Sequence, residues 1–200
     1  MARLGPIDLQ LKGTHVTLEP LSHHHAEGLK RASAAGALHR LWYTSVPSAT
    51  EMAAEIDRRL AERDAGRMLP FTLLDAGGAA VGMTTYMNID HALPRVEIGS
   101  TWITPRAQRG PLNTEAKLLL LTQAFETWDC VAVEFRTHRL NLQSRRAIER
   151  LGAQLDGILR AHTRMADGTL RDTACYSIVA AEWPAVRSHL RWRLAQPRRE

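Results

Sequence analysis

Residues 97–117 read EIGSTWITPRAQRGPLNTEAK, and this stretch decides the fold. It begins as a strand: Val96, Ile98, Ser100 and Trp102 alternate with Glu97, Gly99, Thr101 and Ile103, the period of a chain with two distinct faces. Pro105 ends the run, and a basic loop with Arg106, Arg109 and Gly110 follows. Asn113 or Thr114 is placed to cap a helix, with Glu115 in its first turn and four leucines, residues 118–121, behind it. A strand that enters a helix through a basic turn offers unpaired backbone N–H groups and the positive end of a helix dipole. That arrangement suits a phosphate.

Working outward, residues 131–137 (VAVEFRT) read as the next strand, so residues 96–137 form a β-α-β unit with a parallel pair and a right-handed crossover. Asn141 then caps a helix over residues 142–151, closed by Gly152, and Ser144, Ile148 and Leu151 share one of its faces. The chain continues as a hairpin, residues 155–165 and 170–179, around Ala166-Asp167-Gly168. Glu182-Trp183-Pro184 opens a last helix, and Pro197 starts a frayed tail.

Upstream, residues 1–13 read as a loose lead-in and residues 15–20 as a strand ended by Pro20. Ser22 can cap a helix to about residue 35. His23, His24 and His25 fall in its first turn, where adjacent side chains point apart and make a poor metal cage, so they predict a solvated helix start, with zinc binding as the remote alternative. Trp42 and Tyr43 lie in a connector, as core anchors or as the lining of a cleft. A second helix over residues 48–66 carries Met52, Ile56 and Leu60 as a buried stripe, with Glu51, Glu55, Asp57, Arg58 and Arg59 on a wet face. Strands at 68–74 and 80–88, joined by an Asp75–Gly78 turn, lead into the central stretch. The order β-α-α-β-β-β-α-β-α-β-β-α predicts one α/β (α+β) domain: a mixed, mostly antiparallel sheet with helices on both faces.

Bulk properties agree. Two hundred residues suit one domain, and 44% hydrophobic with 24% charged residues is ordinary for a globular protein. The net charge of +5 and pI near 9.8 fit an anionic ligand or nucleic acid, but much of the excess lies in a basic stretch from residue 186 to 200, read as a tail. Cys130 and Cys175 lack CxxC spacing and read as buried, free thiols of a reducing cytoplasm. No export signal or membrane-length apolar run is present, so a cytoplasmic location is expected.

The chain resembles the GNAT acetyltransferase superfamily, specifically its RimJ/RimL-like branch, over about residues 10–185. The resemblance rests on EIG at 97–99, TEA at 114–116, N-x-x-S at Asn141 and Ser144, AIERLGA at 147–153, and D-G-x-x-R-D…Y-S-I…E-W from Asp167 to Trp183. It implies acetyl-CoA bound in the split between the two parallel strands, with no metal. The pantetheine would pair with a bulged strand at Ile98, Gly99, Trp102 and Ile103. The pyrophosphate would lie on Arg106, Arg109, Gly110, Leu112, Asn113 and Thr114, with Asn141 on the pantetheine and Arg145 or Arg146 near the 3′-phosphate. The branch's glycine-rich loop, W-G-x-G-x-A-T-E-A, is altered here: Arg109 and Pro111 replace both glycines. Pro111 has no N–H to donate. Either Gly110, Leu112 and Asn113 supply enough donors, or cofactor affinity is reduced.

Direct acetyl transfer needs a neutral amine, a polarised thioester carbonyl and a protonated leaving sulfur. Glu97 is the candidate base, with a structural ion pair or an exposed strand residue as its other reading. Ser144 matches the branch's acid position, with a hydrogen bond back to its own helix as the alternative. Trp42, Tyr43 and Tyr86 are expected near the acceptor, a protein N-terminal α-amine or a small-molecule amine, and a homodimer is a family expectation. Two other readings remain at this point: a CoA-binding module without turnover, and a ribosome- or RNA-associated basic protein. No aromatic-interleaved basic strand supports the latter, so nucleic acid is not expected as a partner.

Overall fold

The computed structural model describes residues 8–196. The frayed tail expected from Pro197, and residues 1–7 of the lead-in, lie outside the described residues. Among the described residues, eight strands form one sheet: β1 (Leu11–Lys12), β2 (Val16–Pro20), β3 (Met68–Asp75), β4 (Ala80–Asp90), β5 (Arg95–Ile103), β6 (Ala132–His138), β7 (Gln154–Arg164) and β8 (Leu170–Val179). The order across the sheet is β1-β2-β3-β4-β5-β6-β8-β7, antiparallel except at β5–β6. Five α-helices cover it: α1 (Ala26–Ala34), α2 (Met52–Asp64), α3 (Leu112–Thr122), α4 (Leu142–Glu149) and α5 (Trp183–Ala195).

Helices α1 and α2 bury Leu29, Met52, Ile56 and Leu60 against Met83 and Trp102. The main cluster lies under α3 and α5, where Leu120, Leu121, Val186 and Leu190 pack with Tyr86, Phe135 and Tyr176. The connection from β5 through α3 to β6 is the predicted crossover.

Several expectations need correction. Part of the lead-in is ordered as β1, paired to Thr17 and Leu18 of β2. The carboxylate of Glu115, in α3, accepts backbone N–H groups of Thr14 at 2.9 Å and Val16 at 3.0 Å, fixing the β1–β2 turn. A side chain at Gly13 would collide with that carboxylate. The stretch from 186 is not a tail: it is mostly α5, with Val186 and Leu190 in the core. Arg59 is not on the wet face of α2. It lies three residues beyond Ile56, on the buried side, and donates to Glu55 and to Thr85 Oγ1, both at 2.7 Å. Among the described residues, no helix is long and apolar enough to cross a membrane.

Candidate active site

Strands β5 and β6 pair over only three positions, Arg95–Glu97 against Ala132–Glu134. Past Glu97 and Glu134 the strands separate. Each then has another neighbour on its far side, β4 and β8 respectively, which keeps both in the sheet while the gap opens. The gap is a cleft of about 620 Å³. Residues 98–103 of β5 form one wall, the ends of β6 and the start of α4 the other, and the connector between α1 and α2 lies across it.

Glu97 stands where the strands part. Its side chain is only 7% exposed. Asn88 Nδ2 donates to Oε2 at 2.7 Å, and Arg136 Nε lies 3.5 Å from the same oxygen. Burial outweighs these partners and raises the carboxyl above its ordinary pKa. Gly99 is required beside it: a Cβ there would lie 2.7 Å from Glu97 Oε1 and 2.9 Å from Met87 Sδ. The E-x-G pattern thus has a steric cause. Residues two apart share a strand face, and the carboxylate occupies the glycine's missing side chain.

Just beyond, β5 bulges. Thr85 pairs with Gly99 and Met83 with Trp102, so Ser100 and Thr101 oppose the single residue Thr84. Ser100 takes φ 48°, a left-handed conformation unfavourable for a serine and usual for the first residue of this kind of bulge. Lys117 of α3 clamps the spot. Its Nζ donates to Thr101 Oγ1 at 2.9 Å and Thr84 Oγ1 at 3.1 Å, and the two hydroxyls are 2.7 Å apart. Lys117 is buried, and burial lowers its pKa to about 7.

At the other end of the cleft, α3 begins at Leu112, earlier than the predicted Asn113 or Thr114 cap, with Pro111 preceding it. The first helical bond runs from Glu115 N to Pro111 O. The N–H groups of Leu112, Asn113 and Thr114 come before that bond and have no intrahelical acceptor. Arg109 adopts φ 59°, a left-handed conformation that favours glycine. The side-chain oxygen of Asn113, which lines the cleft, is buried without a hydrogen-bond partner among the described residues. Gln108 spans the mouth, donating to Ile103 O at 2.7 Å and accepting from Gln143 of α4 at 3.2 Å. Asn141 caps α4 by accepting Ser144 N–H at 3.1 Å. Ser144 lines the cleft, and its hydroxyl has no partner among the described residues.

The structure therefore brings Glu97, Ile98, Gly99, Trp102, Ile103, Asn113, Asn141, Ser144 and Tyr43 to one cleft. Trp42 stands at its edge, edge-on to Tyr43 at 5.6 Å and to His138 at 5.1 Å. Tyr86 is a correction: it is fully buried, its hydroxyl donates to Leu120 O, and its ring packs on Phe71 and Trp128. Leu112 and Thr114 are buried, the leucine side chain in the core. Arg106 points elsewhere, to Asp75 Oδ2 at 3.0 Å, and Arg145 donates to the Tyr176 hydroxyl at 2.7 Å. Arg109 and Gly110 border the α3 start without lining the cleft.

Sequence reading missed Lys117, Arg136, His138 and Arg171, all in the cleft wall. His138 is neutral-leaning: burial and the nearby Arg171 and Arg139 lower its pKa, and its Nδ1 accepts Leu140 N–H at 3.0 Å. The histidine run also differs from expectation. A 3-10 turn brings the rings of His24 and His25 within 3.8 Å, both toward Glu19, while His23 pairs with Asp57 at 2.8 Å. Neither free cysteine lines the cleft, and burial raises both thiols, Cys130 to about 11.

The family model of the acetyltransferase (GNAT) domain matches residues 15–154. A GCN5-related N-acetyltransferase from Brucella melitensis is 32% identical, with 95% of this chain and 87% of that one covered at a TM-score of 0.86. Mycobacterium smegmatis RimJ, solved with CoA-disulfide, is 25% identical, with 92% and 93% covered at 0.77. The Microcin C7 self-immunity acetyltransferase MccE, solved with acetyl-CoA and AMP, shares the fold at 19% identity, with 84% and 93% covered and a TM-score of 0.73. Comparison with curated proteins yields no match. A family match over most of the chain, on a sheet whose parallel pair splits, makes this protein an acetyl-CoA-dependent N-acetyltransferase of the GNAT family.

Proposed function

We propose that the protein transfers acetyl directly from acetyl-CoA to a primary amine, a protein N-terminal α-amine or a small-molecule amine, within one ternary complex. The observation that carries this reading is the buried Glu97 carboxylate at the point where β5 and β6 part, in the same cleft as the unengaged Ser144 hydroxyl. An attacking amine must lose a proton, and a carboxylate with a raised pKa is a better acceptor for it at neutral pH. Ser144 supplies a proton to the departing sulfur. The splayed backbone of residues 98–103 and the bulge at Ser100 leave N–H groups for the pantetheine and the thioester oxygen.

The cleft suits CoA. The free N–H groups of Leu112, Asn113 and Thr114 form a donor terminus for its phosphate end. Asn141 and Gln108 flank the path between. These donors answer the loss of both loop glycines, because they belong to the helix start and not to the turn. The CoA and acetyl-CoA complexes of the related proteins support the same ligand. No reactive thiol faces the cleft, which favours direct transfer over an acetyl-enzyme.

Initial-rate kinetics with both substrates varied test this reading. Intersecting reciprocal plots, with the intact protein mass unchanged after incubation with acetyl-CoA alone, are expected. Parallel plots with a stable acetylated protein would overturn the direct mechanism.

A further inference from the structure

The acceptor end of the cleft contains a guanidinium with an open donor. Arg171, near the start of β8, lines the same cleft as Glu97 and Arg136, and its Nε is buried with no hydrogen-bond partner among the described residues. It lies close enough to Glu97 for each charge to shift the other's titration. The neighbouring arginines each form an ion pair with a carboxylate, although Arg95 Nε also lacks a hydrogen-bond partner among the described residues. Arg95 pairs with Glu134 at 2.6 Å, and Arg136 donates to Glu134 at 2.8 Å and approaches Glu97 at 3.5 Å. Arg139 and Arg160 share Asp172 at 3.3 and 2.8 Å. Asp172, next to Arg171 along the strand, is therefore engaged elsewhere.

Arg95, Arg136 and Arg171 face two carboxylates, Glu97 and Glu134. Burying a charge with an open donor is costly unless a ligand completes it. A guanidinium is also the side chain best shaped to hold carboxylate or phosphate through two parallel hydrogen bonds. An amine placed against Glu97 would have its own substituents within reach of Arg171.

We propose that the acceptor carries an anionic group, carboxylate or phosphate, close to its amine, and that Arg171 binds this group while Glu97 receives the amine's proton. The acceptor class is then an α-amino acid or an aminoalkyl phosphate. The inference rests on the proposed acetyl transfer and adds the chemistry of its substrate.

Matched acceptors test it. Thiol release from acetyl-CoA is measured with α-amino acids against their primary amides, and with O-phosphoethanolamine against ethanolamine, so the two arms separate carboxylate from phosphate. The expected result is a kcat/KM ratio of at least about tenfold for the anionic member in one arm, collapsing toward one in Arg171→Gln and partly restored in Arg171→Lys. Acetyl-CoA binding by calorimetry confirms that the variants are folded. A ratio near one in the wild type, no turnover of any anionic acceptor, or a ratio unchanged in Arg171→Gln would each overturn the inference. If neutral amines are acetylated and that activity needs Glu97, the proposed function survives without this one. If no amine draws thiol from a protein that binds acetyl-CoA, both fall.

Discussion

The two ends of the cleft are built from different materials. The end that suits CoA offers uncharged groups: backbone N–H at the α3 start, and the side chains of Asn113, Gln108, Asn141 and Ser144. The acceptor end offers buried or half-buried charge: Glu97, Arg136, Arg171 and, below the bulge, Lys117. Uncharged donors hold a ligand at little desolvation cost. Charged ones are expensive to bury and change the protonation state of what they touch. The difference predicts that substitutions at the first end act on affinity, and those at the second on rate and pH dependence.

The largest expected effect is at Glu97. Glu97→Gln keeps the acceptor for Asn88 but cannot take a proton, so kcat should fall by about 10²- to 10⁴-fold with acetyl-CoA affinity nearly unchanged. In the wild type, kcat/KM should decline as pH falls through a pKa above the ordinary carboxylate value of about 4.3. That limb should vanish in the variant. Because folding raises this pKa, the ionised form is the one that weakens the fold. Wild-type stability is lost as pH rises through the shifted pKa, so the variant should melt no lower than wild type at pH 7. A variant that retains full rate would remove Glu97 from the chemistry.

Lys117 tests whether buried charge is a burden as well as a tool. Unfolded, its amine titrates near about 10.4, whereas in the fold it titrates at about 7. Between those values the unfolded chain holds the proton that the folded chain releases, so stability rises with pH. Linkage gives a gain of about 3 kcal/mol from about pH 6.5 to about 9.5. Lys117→Met should remove that slope, which chemical unfolding at several pH values would show. An unchanged slope would mean the amine stays charged on its two threonines.

How legible these features were depends on whether their residues are neighbours in sequence. The strand–turn–helix of residues 97–117, the crossover and the Asn141 cap are local patterns, and the structure keeps them. Glu97 was readable because Gly99 lies two residues away. Arg171, Lys117, Arg136 and His138 come from β8, α3 and β6 and meet only after the sheet is ordered. No spacing could group them. Tyr86 shows the opposite error: an aromatic near the central strands reads as a ligand contact, but alternation from Thr85, beside Gly99, turns it to the other face and onto Leu120. The basic run after residue 186 misled because its charges hide the apolar pair Val186 and Leu190, four apart on one helix face.

Ser144 lies between the two ends and should behave like the charged one, since it acts on a leaving group. Ser144→Ala is expected to lower kcat about 10- to 100-fold with little change in KM for acetyl-CoA. Rates with a more acidic leaving thiol should be less affected, because that thiolate needs less help. Equal losses for both thiols, or none, would mark the hydroxyl as a bystander.

The smallest effect should come from the uncharged end. Asn113→Ala removes the side-chain amide, whose N–H2 is the part able to donate to a phosphate, but leaves the backbone donors of the α3 start in place. A single hydrogen bond to an uncharged group contributes about 1 kcal/mol, so acetyl-CoA affinity should weaken about fivefold with kcat preserved. Asn113→Asp keeps the shape and adds a negative charge beside the phosphate end, so it should weaken binding further, and salt should relieve part of the loss. If Asn113→Asp instead lowers kcat without changing affinity, Asn113 belongs with the charged end and the division of labour between the two ends fails.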